Sequence, residues 1–388
     1  MSRQKLGLII NPVAGVGGRV GLKGSDGALA GKAKSMGAIP IAEARARVAM
    51  SQFAAACPDA EVLTAPGSMG AAVAEDAGLE TRVVSALSKP ETSAADTQTA
   101  ARAILSEGAA LLLFVGGDGT ARDIYGVVGR ELPVLGVPSG VKMHSALFAA
   151  SARAAGEVAA RYLCAADRSG LLADAEILDR VDASSAGGSP ELFGVVRTPR
   201  SGFLVPAAKN SRPSSEPLAL AAAINRVAAM LSDDRLTLIG PGSTMQSLMT
   251  QLRSAGSLLG IDATKNGKLL AKDLNEGEIL DLIAGKSARI VLSVVGGQGF
   301  LFGRGNQQLS PTVISQVGVE NIVVVSSLEK LAGLPGNCLL VDTGDEDVDA
   351  ELAGYLPVIV SEARTVMMPV KSAATEIAAD RPVAQSAT

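Results

Sequence analysis

Residues 116–120 read Gly-Gly-Asp-Gly-Thr, three glycines around one carboxylate, directly after the apolar run 111–115. Without Cβ atoms, such a loop lets backbone N–H groups approach an anion, and a helix beginning at Thr120 adds its positive end. Asp118 would then face the reacting group, where a carboxylate accepts a hydroxyl proton or helps to hold a metal. The same five residues also make a plain turn, with Thr120 as N-cap and Asp123 favouring the helix dipole. A two-residue hairpin is disfavoured, because residues 120–130 have helical rather than strand patterning.

Other segments repeat the device. NPVAGVGGRVG (11–21) offers Asn11 and the glycines Gly15, Gly17 and Gly18 beside a first apolar strand. It fails the dinucleotide fingerprint, since Val20 stands at the third glycine position. A Walker A loop fails as well: three residues separate Gly27 from Gly31-Lys32, and Ala33 replaces Ser or Thr. In GVPSGVKMHSALFA (136–149), Ser139 and Lys142 place a hydroxyl and an ammonium where phosphate oxygens could be met. A turn leading into a helical segment would use the same residues. IGPGST (239–244) presents Gly242, Ser243 and Thr244 after another strand, and GGQGFLFGRGNQQ (296–308) combines glycines with Arg304 and Asn306. Arg122 is a further candidate for phosphate. The single histidine, His144, argues against a Ser-His-Asp hydrolase and a His-rich zinc site. The acidic run 342–349 lacks the mid-loop glycine and distal glutamate of a calcium loop and reads as a solvated loop before a helix. No residue set identifies metal ligands.

The elements that must position these residues emerge from patterning. Through the first 150 residues, short apolar strands (6–10, 61–65, 82–85, 111–115, 133–137) alternate with helix-sized segments, which implies parallel βαβ units. The strands are apolar throughout, as when helices cover both faces. Thr92 or Ser93 caps a helix ending at Gly108. The chain of 388 residues is 47% hydrophobic but only 3% aromatic, without Trp, so its core is aliphatic and favours closely packed helices. The expected fold is α/β, with a Rossmann-like domain over 1–168 and a second, β-rich mixed α/β domain over 169–354. A last strand in 355–370 is placed as returning to the first domain, and 371–388 as a flexible tail. A net charge of −4 with no basic block excludes a nucleic-acid footprint, and no run reaches the length of a membrane span. Three distant cysteines argue against a disulfide framework and fit a reducing, cytoplasmic setting.

Taken together, NPVAG-GG, GGDGT about 100 residues later, and GVPSGVKMHSALFA resemble the ATP–NAD kinase family. The likeness is greatest to the branch that includes the acetoin-catabolism X protein, through the 136–149 and 296–308 segments. It covers most of the chain apart from the C-terminal tail. GGDGT is shared with diacylglycerol and sphingosine kinases, and IGPGSTMQSL looks like a diverged second motif of the family. The resemblance implies an NAD kinase-like fold, ATP as donor, Mg²⁺ bridging the phosphates, and an active site at Gly116, Gly117, Asp118, Gly119 and Thr120. It further implies nucleotide contacts from Asn11, the 15–18 loop, Gly242, Ser243 and Thr244, small-molecule partners, and a homo-oligomer. The implied acceptor is the ribose 2′-hydroxyl of NAD. One departure matters: the family's acceptor-gripping Asn-Glu pair has no equivalent near ELFGVVRTPR, and Asn275-Glu276 lies after the glycine–serine–threonine motif and reads as a helix start. A sugar, polyol or lipid acceptor, or a non-catalytic nucleotide-binding regulator, are the alternatives.

Overall fold

The computed structural model describes residues 3–22, 28–38, 40–87, 92–140, 143–168, 170–179, 191–200, 216–295 and 299–374. Lys142, Gln298 and residues 375–388 of the tail lie outside the described residues. Five strands form the first sheet: β1 (Lys5–Ile10), β2 (Glu61–Thr64), β3 (Glu80–Val83), β4 (Leu111–Gly116) and β5 (Val134–Pro138). They run parallel in the order β3-β2-β1-β4-β5. The helices of this unit are α1 (Ala28–Ser35), α2 (Ala42–Ala56), α3 (Ala71–Asp76), α4 (Ala94–Ser106), α5 (Asp118–Val128) and α6 (Ala152–Leu163).

Every residue of β4 is buried. Its alternate side chains feed two cores, one under α2 and α6 and the other under α4 and α5. Each fully buried Leu or Val in such a strand contributes roughly 1.5–3 kcal/mol. The alanine-rich helices exploit their small side chains: a Cβ on Gly156 of α6 would lie 2.1 Å from the Ala49 carbonyl oxygen of α2. Ser93 caps α4 in a reciprocal box with Asp96, as the sequence pattern implies.

A two-stranded antiparallel hairpin, β6 (Leu172–Asp179) and β7 (Glu191–Pro199), comes next along the chain. Its Ala175, Ile177 and Val196 join the core under α5. The second unit contains α7 (Glu216–Met230), β8 (Leu236–Ile239), α8 (Ser243–Gln251), β9 (Ile261–Lys265), β10 (Lys268–Leu274), α9 (Glu276–Ile283), β11 (Ala288–Leu292) and β12 (Phe300–Phe302). It continues through α10 (Pro311–Val317), β13 (Ile322–Val325), α11 (Leu328–Ala332), β14 (Leu339–Val341), α12 (Glu346–Leu352), β15 (Gly354–Ile359) and β16 (Thr365–Ser372). Its nine strands make one mixed sheet, β10-β9-β8-β11-β13-β15-β16-β14-β12. The two units meet at a polar seam, with Arg45 of α2 on Asp342 at 2.7 Å and Arg153 of α6 on Glu346 at 2.6 Å.

Four expectations need correction. The final strand does not return to the first unit, because β15 pairs with β13 and β16 inside the second sheet. Helix α5 begins at Asp118 with Gly117 as N-cap, so Thr120 is its third residue, not its cap. Residues 143–151 form no helix but run beside β5, where Gly136 N donates to Leu147 O and Ala149 N to Gly136 O, each at 3.0 Å. Finally, Cys57 and Cys164 form a disulfide, with Cα atoms 6.6 Å apart. These residues terminate α2 and α6, whose side-by-side packing brings two cysteines 107 positions apart together. Cys338 is free and buried. Among the described residues, no helix is long and apolar enough to cross a membrane.

Candidate active site

The carboxyl ends of β1, β4 and β5 carry three loops that interlock through their glycines. Asn11, just past β1, donates from its backbone N–H to Val115 O at 2.9 Å and from Nδ2 to Thr120 Oγ1 at 3.0 Å. It thereby ties the first loop to the first turn of α5. A Cβ on Gly116 would meet the Thr120 side chain at 2.6 Å, so glycine is what allows Thr120 to fold back there. The Gly116 carbonyl accepts from Ser139 N and Gly140 N at 3.1 and 3.2 Å, and a Cβ on Gly140 would lie 2.8 Å from the Gly117 Cα. Gly15 has φ +75°, and its Cβ would fall 2.0 Å from the Ser139 carbonyl oxygen. Both its conformation and its neighbour require glycine. Gly17 and Gly18 are buried in the same loop, and a Cβ on Gly18 would sit 3.2 Å from the Gln307 side chain.

Asp118 lies at the centre of this arrangement, 5% exposed, on the first turn of α5. Its Oδ2 accepts from His144 N at 2.6 Å and its Oδ1 from Ser145 N at 3.0 Å. Burial pushes its pKa up to about 6, against the opposing pull of the Ser145 and His144 hydrogen bonds; nearby Asp179 adds to the rise. A carboxylate with that proton affinity is mostly ionised at neutral pH yet basic enough to take a hydroxyl proton. The N–H groups of Gly119 and Thr120, in the first turn of α5, have no intrahelical acceptor, as at any helix start. Ser139 Oγ is buried and, among the described residues, has no hydrogen-bond partner, which marks it as a group awaiting one.

The other candidates are placed differently. Arg122, one turn beyond Asp118, pairs with Asp179 at 2.8 Å and lies over the Phe193 ring at 5.5 Å. Gly242 caps α8 and donates its N–H to Leu258 O, and among the described residues no hydrogen bond of 242–244 crosses to the first unit. Asn306 folds its own loop, its Oδ1 accepting from Gly303 N and its Nδ2 donating to Leu301 O. Arg304 is buried at the seam on the carbonyls of Ala149 and Ala150. Both polar side chains are thus engaged in protein contacts. Asn275 is the N-cap of α9 in a capping box with Glu278, which fits its reading as a helix start.

Residues 6–166 match the ATP-NAD kinase N-terminal domain, and residues 232–370 match the ATP-NAD kinase C-terminal domain. The chain belongs to the ATP–NAD kinase family. No curated protein and no solved structure matches it. The family consists of kinase-type phosphotransferases with ATP as donor, and the glycine-lined carboxyl edge of the first sheet suits that chemistry. The donor set does not suit a protein-held Mg²⁺. Among the described residues no three Asp, Glu, His or Cys side chains converge, and both Asp118 oxygens already accept from main-chain N–H groups. A magnesium ion used here would be carried chiefly by the nucleotide's phosphates.

Sequence reasoning missed two of three contributors. Asp179 approaches Asp118 from the hairpin, the N–H groups of His144 and Ser145 grip its carboxylate, and Gln307 Nε2 reaches Gly140 O at 3.4 Å. Gln307 stands in the polar set Arg304, Asn306, Gln307, which was the available signal for it. The main-chain donors carried none.

Proposed function

We propose that this chain transfers the γ-phosphoryl group of ATP to a hydroxyl, with the ribose 2′-hydroxyl of NAD as first candidate and NADP as product. The observation that supports this most is Asp118: a buried carboxylate of raised pKa, at a helix start, inside a glycine cradle at the edge of a parallel sheet. In this reading the half-buried start of the 11–18 loop, the Gly119 and Thr120 N–H groups and Ser139 Oγ bind phosphate oxygens. Lys142 belongs to the same proposal through its place after the Pro-Ser-Gly turn. Asp118 receives the acceptor's proton as the hydroxyl oxygen attacks the γ-phosphorus and ADP leaves. Catalysis is then mainly positioning and charge placement.

A second acceptor class has its own support. Asn275, the nearest approach to an Asn-Glu pair, uses its side chain in a helix cap. The hairpin beside Asp118 instead brings up Asp179, paired with Arg122, a polar pair suited to a polyhydroxylated molecule. Likeness to the acetoin-catabolism branch also directs attention to small hydroxylated metabolites. A cytoplasmic location and a homo-oligomeric state belong to this proposal and rest on the family resemblance. The test is ADP release by the purified protein with ATP and a panel of NAD, sugars, polyols and diacylglycerol. NAD-dependent release supports the first acceptor, polyol-dependent release with NAD inert supports the second, and ATP binding without any phosphorylated product refutes the kinase reading.

A further inference from the structure

The two N–H groups on Asp118 belong to residues 143–151, a stretch without helix between β5 and α6. From the first unit and the hairpin it is held by the Gly136 bonds, by Ala146 N on Glu176 O at 3.0 Å, and by Ser145 Oγ, which both donates to Leu178 O and accepts from Leu178 N. From the second unit Arg304 reaches both of its ends. Nη1 donates to Met143 Sδ at 3.4 Å, and Nη2 donates to Ala150 O at 2.9 Å and, more weakly, to Ala149 O at 3.5 Å. Ser151 Oγ adds a bond to Ala373 O at 3.3 Å.

Arg304 is costly to keep there. Its guanidinium is fully buried and stacks over Phe300 at 4.6 Å, and its nearest carboxylate, Asp342, is 3.7 Å away. Asp342 sits closer to Arg45, at 2.7 Å. A seam needing only adhesion is served as well or better by an apolar side chain of similar volume. What an apolar side chain cannot do is hold Met143 and Ala150 simultaneously, on either side of His144 and Ser145.

We propose that Arg304 is a positioning residue that clamps both ends of the 143–150 segment, holding the His144 and Ser145 N–H groups on the Asp118 carboxylate, so that docking of the second unit completes the base. Arg304 does not touch Asp118. Among the described residues, the charged groups that bear on Asp118 are Asp179 of β6 and, through its pair with Asp179, Arg122 of α5; neither is paired with Arg304. The kinetic arm of the test rests on the kinase reading, whereas the spectroscopic arm does not.

The experiment tracks the Asp118 carboxyl carbon by ¹³C NMR in the full chain, the signal being identified by its loss in Asp118→Asn. Wild type, Arg304→Lys and Arg304→Met are titrated after circular dichroism confirms folding. Loosened N–H donors favour the charged carboxylate less, so both variants should titrate higher than wild type by about half a unit or more, Met further than Lys. The acid limb of kcat/KM should move with it, while KM for ATP changes by less than about twofold. An unmoved Asp118 titration in a folded variant overturns the proposal, as does a loss of kcat that is equal at every pH. Should Arg304→Met fail to fold, Arg304→Lys decides alone. If wild type shows no turnover, the kinase reading fails while the NMR titration still tests the clamp.

Discussion

Replacing Asp118 by Asn separates its part in stability from its part in chemistry. The folded-state pKa of about 6 lies above the ordinary 3.8, so the protonated carboxyl is favoured in the fold. Below about pH 4 both states are protonated and Asp118 has no pH-linked effect. As pH rises from 4 to 6 the unfolded chain loses its proton first, and stability falls; above 6 the loss levels off near 3 kcal/mol. Asn abolishes this pH dependence but has one acceptor oxygen for two N–H groups, a loss of about 1–3 kcal/mol. At pH 7.5 the two effects nearly cancel, and Asp118→Asn should be within about 2 kcal/mol of wild type. At pH 4 the relief is small and the variant should be the weaker protein. Urea unfolding at both pH values should therefore show the stability difference shifting by roughly 2.5 kcal/mol in favour of Asn on going from pH 4 to 7.5. In parallel, wild-type kcat/KM should fall about tenfold from pH 7 to pH 5 as Asp118 protonates. A stability difference that does not move with pH, or activity flat between pH 5 and 7, refutes the reasoning about this carboxyl.

Three further outcomes are expected. Ser139→Ala removes a buried hydroxyl that has no partner among the described residues, so thermal stability should hold or rise while KM for ATP increases; an unchanged KM removes Ser139 from the phosphate site. Gly15→Ala forces a Cβ against the Ser139 carbonyl at a positive φ and should destabilise the fold by about 1–3 kcal/mol with a larger fractional loss of activity, read by urea unfolding and turnover. Thiol titration of protein denatured without reductant should count one reactive cysteine, Cys338, rising to three after reduction; three from the outset contradict the Cys57–Cys164 bond.

Much of the first unit was legible because its central strands β1, β4 and β5 are buried on both faces and its helices on one, which writes itself as continuous against periodic apolarity. The GGDGT loop was legible for the same reason, since a glycine cluster directly after a fully buried strand points to a backbone that something must approach closely. The 143–151 segment was not: its Ala, Leu and Phe suit a helix, but its N–H groups bond to Asp118 and β5 instead, and tertiary contacts overrode propensity. Arg304 and Asn306 carry side chains typical of phosphate binding, and only burial shows that one closes a seam and the other folds its own turn. The disulfide depends on two helix ends meeting, which spacing along the chain does not encode.

The most direct measurement incubates wild type and Asp118→Asn with ATP, Mg²⁺ and NAD and identifies nucleotide products by mass spectrometry. The kinase assignment requires a phosphorylated acceptor, NADP in its first form, from wild type and a loss on the order of 10²–10⁴-fold in the folded variant. Equal product from both proteins, or no phosphorylated product from NAD or any other hydroxyl acceptor, would contradict it.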